Sequence, residues 1–263
     1  MIRKNERVGY LMNTLKRLGH ITVSEAVDML GVSEATVRRL FMHMEGEGLA
    51  IRSHGTLRPV PSGSVYSFEA SAHVYSREKQ NIGRMAAMFV EDGDIVYLDC
   101  GTTVFQMTLA LSQRVAAGEF RSLNVVTNSI ANVQALNASS GCKLILVGGE
   151  YNRERRDFSG PLTERFIDPF HFNKCFLGCD GVTRRDGFSS KDVNISSLNS
   201  CVMERSDAVY VLCDSSKLDR CSMVSYAPLN RVSALVTNAE PGQELRAALQ
   251  SARVHVNLCG TEY

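Results

Sequence analysis

"IVYLDCGTT", Ile95 to Thr103, is an apolar run of strand length that breaks into a glycine and two threonines. The pattern returns in "LNVVTNS" (123–129), "KLILVGGE" (143–150), "CFLGCDG" (175–181), "AVYVLCDSSK" (208–217) and "ALVTNA" (234–239). Each run is nearly all apolar, as strands buried on both faces are, and helical stretches such as Val104 to Leu111 separate them. This alternation predicts an α/β fold with a mainly parallel sheet. In such sheets ligands collect beyond the carboxyl ends of the strands, so the polar turns are the expected site.

The residues of those turns suit an anion. Gly101 lets the backbone approach, Thr102 and Thr103 offer hydroxyls, and the amides opening the next helix carry partial positive charge. Thr127, Asn128 and Ser129 supply a second set of short polar groups from another strand end, and Lys217 is the one cation read at such an end, able to pair with phosphate. Asp99 and Gly149, in the first and third turns, are counted with this set. The bland alternative is that these turns are only helix caps and tight connections.

Working outward, 263 residues suffice for two modest domains, and 44% hydrophobic with 22% charged residues is ordinary for a globular protein. The formal charge is +1. Residues 1–60 hold 9 Lys+Arg against 6 Asp+Glu, leaving 29 − 9 = 20 against 28 − 6 = 22 for the rest. A small basic head on a slightly acidic body suits contact with a polyanion. The N-terminus lacks a signal-like apolar stretch and no run reaches membrane-span length, so a cytoplasmic location without membrane association is expected. Eight scattered cysteines read as reduced thiols. His171, Cys175 and Cys179 recur every fourth residue, but "CFLGCDG" reads as strand and turn, where that spacing does not converge on a metal. No metal and no cofactor is expected.

In the head, Val8, Leu11, Met12, Leu15 and Leu18 follow helical spacing and stop at Gly19. "ITV" is short and extended, Ser24 is the expected N-cap of a second helix with Ala26, Val27 and Leu30 inward, and Gly31 ends it. Ser33 caps a third helix that buries Val37, Leu40, Phe41 and Met44 and leaves Thr36, Arg38 and Arg39 outside. "LAIRSHGTLRPV" (49–60) reads as a hairpin wing carrying Arg52, His54 and Arg58. The expectation is a winged helix-turn-helix over 1–58 that reads double-stranded operator DNA with Ser33, Thr36, Arg38, Arg39, Arg52 and His54. A scaffold for protein contacts is the alternative. Residues 59–76, rich in Pro, Ser, Gly and Ala, are expected as a linker. Residues 77–263 are expected as the effector domain, opened by an amphipathic helix with Ile82, Met85, Ala86 and Phe89 on one face.

"ITVSEAVDMLGVSEATVRR" and "GEGLAIRSHG" resemble the N-terminal domain of the DeoR family of bacterial sugar-metabolism repressors. Leu40 stands where that family's motif has Asp, and Thr56 where it has Gly. "SREK", "DGDIVYLDCGTT", "VVTNS", "VGGEYNR", "FLGCDGV" and "CDSSK" resemble, in order, the landmarks of its effector domain, whose fold is similar to ribose-5-phosphate isomerases and CoA transferases. The resemblance implies that Gly101, Thr102, Thr103, Asn128, Ser129, Asp180 and Lys217 surround a phosphorylated sugar. The related isomerases carry Gly-Ala-Asp-Glu where this chain reads "GCDG", so Gly181 removes one acid. Downstream, "NISSLNSCVMERS" (194–206) offers Asn194 and Asn199 but no carboxylate before Glu204. Asp180 and Asp192 remain, and binding without turnover is expected. The reading is a repressor of a carbohydrate catabolic operon, a homo-oligomer controlled by a phosphorylated sugar effector; the rival is an active isomerase-like enzyme with an appended DNA-binding head.

Overall fold

The computed structural model describes residues 4–46, 50–53, 55–59, 67–136 and 141–260. The chain divides into two compact units, Met1–Ser76 and Arg77–Tyr263.

The first unit contains α1 (Lys4–Leu18), β1 (Ile21–Thr22), α2 (Val23–Leu30), α3 (Glu34–Gly46), β2 (Ala50–Ser53) and β3 (Thr56–Pro59). Leu11, Leu15, Ala26, Val37, Leu40, Phe41 and Met44 close on Ile21 and Leu57 in one apolar core. Leu40 is thus a core residue, and its departure from the motif places hydrocarbon where hydrocarbon packs. The α2 cap differs from expectation. Thr22, in extended conformation, accepts from the Glu25 amide at 3.3 Å, and the Glu25 carboxylate accepts from the Thr22 amide at 2.7 Å. This reciprocal box follows from the spacing Thr-x-x-Glu and leaves the expected cap, Ser24, inside the helix. Ser33 caps α3 as expected, its Oγ accepting from the Thr36 amide at 3.4 Å.

The wing is antiparallel, with Ser53 opposite Thr56, and β1 adds to its other edge in the order β1-β3-β2. Gly55 takes the turn's left-handed position at φ +77. Thr56 is a strand residue, so the second departure falls where no glycine is needed. The expected linker over 59–76 contains a helix, α4 (Phe68–His73), capped by Ser67 and holding Phe68 buried. Six residues are too short to show helical periodicity, and the Ser67 cap is the signal that was available.

The second unit begins with α5 (Ser76–Ala87), β4 (Ile95–Leu98), α6 (Thr102–Ala116), β5 (Leu123–Thr127), α7 (Ile130–Leu136) and β6 (Cys142–Leu146). It continues with β7 (Glu150–Asn152), β8 (Asp157–Ser159), α8 (Pro161–Ile167), β9 (Phe172–Gly178), β10 (Gly181–Thr183), β11 (Gly187–Ser190) and α9 (Val193–Glu204). Last come β12 (Ser206–Leu212), β13 (Val224–Ala227), β14 (Ala234–Thr237), α10 (Gln243–Ser251) and β15 (His255–Leu258). Seven strands form one sheet in the order β15-β14-β12-β9-β4-β5-β6, every neighbouring pair parallel.

Alternation along the strands feeds two cores. Tyr97, Cys175, Leu177 and Val211 face one side, Val96, Leu98, Phe176 and Leu212 the other. Each of the six apolar runs supplies one strand of this sheet. β15 was not foreseen, because "HVNL" is half polar, as edge strands are; nor were the β7–β8 hairpin and the small β10-β11-β13 sheet. β6 forms the opposite edge and is half exposed rather than buried on both faces. Helices α5 and α6 meet at Gly83, where a Cβ would lie 2.5 Å from the Gln106–Met107 backbone. Only glycine permits that approach.

Candidate functional site

On α3, Arg38 and Arg39 are exposed and Thr36 is half-buried, and several of the residues expected at DNA are already engaged. Arg38 is held by Glu34 one turn earlier, Nε donating to Oε1 at 2.9 Å. Arg39 reaches back to the Ala35 carbonyl at 3.3 Å, and the Ser33 and Thr36 hydroxyls lie 3.0 Å apart. Arg52, on β2, donates to the nearly buried Glu45 at 3.1 Å. That bond ties the wing to the end of α3, so Arg52 fixes wing geometry as well as adding charge. His54 lies outside the described residues.

In the second unit the strand ends assemble the expected turns. Gly101 is the N-cap of α6 and has no side chain to cap it, so the first amides of the helix are free of an intrahelical acceptor. Thr102 and Thr103 follow, both nearly buried. Asp99 accepts from the Gly178 amide at 2.9 Å across the β4–β9 boundary, while its Oδ1 is buried without a partner. Burial raises the Asp99 pKa, opposed by the Gly178 and Cys100 amides and by the charge of Arg155.

Thr127 is a structural clamp. Its hydroxyl donates to the Leu98 carbonyl at 2.6 Å and accepts from the Ser129 amide and from Asn132 Nδ2, both at 3.1 Å. Asn128 donates to the Phe158 carbonyl at 2.9 Å and keeps a buried, unpartnered Oδ1. Ser129 Oγ accepts from the Asn132 amide at 3.3 Å. Gly149 sits at φ +154 with Thr163 and the Ser159 carbonyl where a side chain would go, so it serves close packing onto the start of α8. Asp180 accepts from the Lys191 amide at 3.0 Å. Asp192 caps α9 through the Ile195 amide at 3.1 Å, which gives that carboxylate a structural task. His171 is exposed and pairs with Asp207 at 2.9 Å, whereas Cys175 is buried inside β9.

Lys217 is not the only cation here. Lys79, on the apolar stripe of α5, is 5% exposed. Burial pushes its pKa down to about 8, against the raising charges of Asp214, Glu78 and Asp180, with Lys217 adding to the fall. Its charge is thus coupled to those of Asp180, Asp214 and Lys217. A lysine three residues before Ile82 and four before Gly83 was legible as buried in the sequence. Arg155 is the other: Nε donates to the fully buried Asp157 at 2.9 Å and Nη2 reaches Cys100 Sγ at 3.5 Å. Asp157 Oδ1, like both side-chain polar atoms of Asn199, has no partner. Nothing in the run "NRERRD" marks which arginine turns inward. An open hollow of about 640 Å³ beside Arg184, Arg185 and Leu229 contains none of the expected effector residues.

Such an arrangement can bind an anion by amides, hydroxyls and ammonium groups, and can accept hydrogen bonds from hydroxyls. Among the described residues, no helix is long and apolar enough to cross a membrane. The pattern of the DeoR-like helix-turn-helix domain matches residues 7–61, and that of the DeoR C terminal sensor domain matches residues 75–239. The lactose phosphotransferase system repressor of Streptococcus mutans is 30% identical over 93% of this chain and 96% of its own. The HTH-type transcriptional repressor GlcR of Bacillus subtilis is 29% identical over 91% and 90%. Both are named as repressors. Ribose 5-phosphate isomerase A of Methanocaldococcus jannaschii is 17% identical, with a TM-score of 0.41 over 55% of each chain. Two domain patterns in this order, over most of the sequence, show that the chain belongs to the DeoR family of transcriptional regulators.

Proposed function

We propose that this regulator represses a carbohydrate catabolic operon from the cytoplasm, as a dimer or larger homo-oligomer, and leaves its operator when a phosphorylated sugar occupies the sensor unit. One observation carries the reading: the buried ammonium of Lys79 on α5 is electrostatically coupled to Lys217, Asp180 and Asp214, and the same sheet presents the uncapped N-terminus of α6 at the end of β4. Cations and free amides take the phosphate; carboxylates take the hydroxyls. The names of the lactose and GlcR repressors support the operon class. Ser33, Thr36, Arg38 and Arg39 meet bases and phosphates, and Arg52 and His54 the flanking backbone. A single head reads one half-site, so two copies are needed for a paired operator.

The test is DNA binding by the full-length protein to its own upstream region, with and without a panel of sugar phosphates and the same sugars unphosphorylated. One phosphorylated sugar should weaken binding while its parent sugar does not and no product forms. A panel without effect, or conversion of any member, overturns the proposal.

A further inference from the structure

We propose that Cys179 and Cys213 form a dithiol modification site beside the effector-binding turns, which closes to a disulfide by exchange with a low-molecular-mass disulfide. Parallel strands β9 and β12 are in register with Gly178 opposite Leu212, so the next residues, Cys179 and Cys213, are direct neighbours. Both pack on the same core. Adjacent strands lie about 4.8 Å apart, within the roughly 4.4–6.8 Å between Cα atoms that a disulfide spans. The Cys213 amide donates to the Val236 carbonyl at 3.1 Å, and the Tyr226 hydroxyl to the Gly178 carbonyl at 2.8 Å, which fixes both strand ends. A hydrogen bond to Cys213, followed by burial, holds the Cys179 thiol well above its ordinary pKa. A thiol held in this way is almost wholly protonated near neutral pH, so exchange through it is slow.

Exposure sets the order of events. Cys213 is 1% exposed and Cys179 is half-buried, so the incoming disulfide meets Cys179. Cys179 gives its proton to water and its sulfur attacks one sulfur of the disulfide; the other leaves as a thiolate and takes up a proton. Cys213 then loses its proton, attacks Cys179 Sγ and expels the second thiol. The two protein thiols are oxidised, and the small disulfide is reduced to two thiols.

Closure brings the sulfurs to about 2.05 Å and locks the starts of the turns that carry Asp180 and Asp214 at a fixed separation. Effector affinity should fall, a consequence that rests on the function proposed above.

The experiment uses the full-length chain with the exposed Cys221 replaced (Cys221→Ser), equilibrated in oxidised and reduced glutathione, acid-quenched, alkylated and peptide-mapped. The expected product is a peptide joining Cys179 to Cys213, lighter by two hydrogens. With Cys213→Ser added, Cys179 stops at the mixed disulfide with glutathione. Recovery of both cysteines alkylated across the series, or a mixed disulfide at Cys179 that persists while Cys213 is intact, overturns the site. Calorimetry with a sugar phosphate should then give several-fold weaker binding to the oxidised protein, and equal affinity overturns the coupling. If the reduced protein binds no sugar phosphate, the effector reading fails instead and the cross-link result stands.

Discussion

In the first unit Arg38 and Arg39 stand in solvent over a core of Val37, Leu40 and Phe41, whereas in the second unit Asp99, Thr127, Asn128 and Asp157 are themselves buried. On the function proposed above, the difference follows from the ligand. A duplex presents its phosphates and base edges outward, so a reader needs exposed side chains on a rigid apolar support. A small metabolite must be taken out of water, so its polar partners are buried, and each costs desolvation unless paired. Function and stability should therefore separate in the first unit and be coupled in the second.

The sharpest way to break that contrast is Asp157→Ala. It removes the buried carboxylate to which Arg155 Nε donates, and breaking a buried pair costs about 3–5 kcal/mol. A large fall in the melting temperature of the second unit is expected, and a melt unchanged from the parent protein would contradict it. Next is Lys79→Gln, which should weaken sugar-phosphate binding by the about 1.5–3 kcal/mol of a charge-assisted hydrogen bond, read by calorimetry.

Lys79 also gives a pH signature. Its folded pKa, about 8, lies below the ordinary 10.5. The folded state thus binds fewer protons than the unfolded chain between these values, and the contribution of this group to stability rises with pH across that window. An anion pairing with the ammonium restores the proton. Effector binding near pH 8 should take up protons, measured as a dependence of calorimetric enthalpy on buffer ionisation, and Lys79→Gln should remove it.

Arg38→Ala and Arg39→Ala should each cost DNA affinity by about 1–3 kcal/mol where the arginine reads a base, or flatten the salt dependence where it meets phosphate. Neither should change unfolding by more than about 0.5 kcal/mol. A large loss of stability in either would place that arginine in the fold rather than at the groove. The smallest effect is Thr22→Ala, which removes the α2 cap for about 1 kcal/mol, visible in chemical denaturation.

The strand ends of the sheet were legible because runs such as "IVYLDCGTT" and "CFLGCDG" are apolar until they stop and then turn polar within one residue. The recognition helix was legible because Val37, Leu40, Phe41 and Met44 keep one face. Arg155 and Asp157 were not: they sit in a charged stretch, and their burial is decided by where β7 and β8 fold back, a matter of tertiary structure. Lys79 is an intermediate case: the α5 stripe is legible from its spacing and Lys79 falls on it, but a lysine is seldom fully buried. The α2 cap was missed for a local reason, because Ser24 and Thr22 are both acceptable caps and Glu25 decides between them only through the box it forms with Thr22. His54 is an expectation on residues that are not described.

Helix α5 starts on Ser76, the last residue of the first unit, and runs without interruption into the second. Lys79 is three residues on, about 4.5 Å along the axis at 1.5 Å per residue. The lysine proposed to meet the effector and the residue at which the chain passes from one unit to the next therefore lie on the same helix.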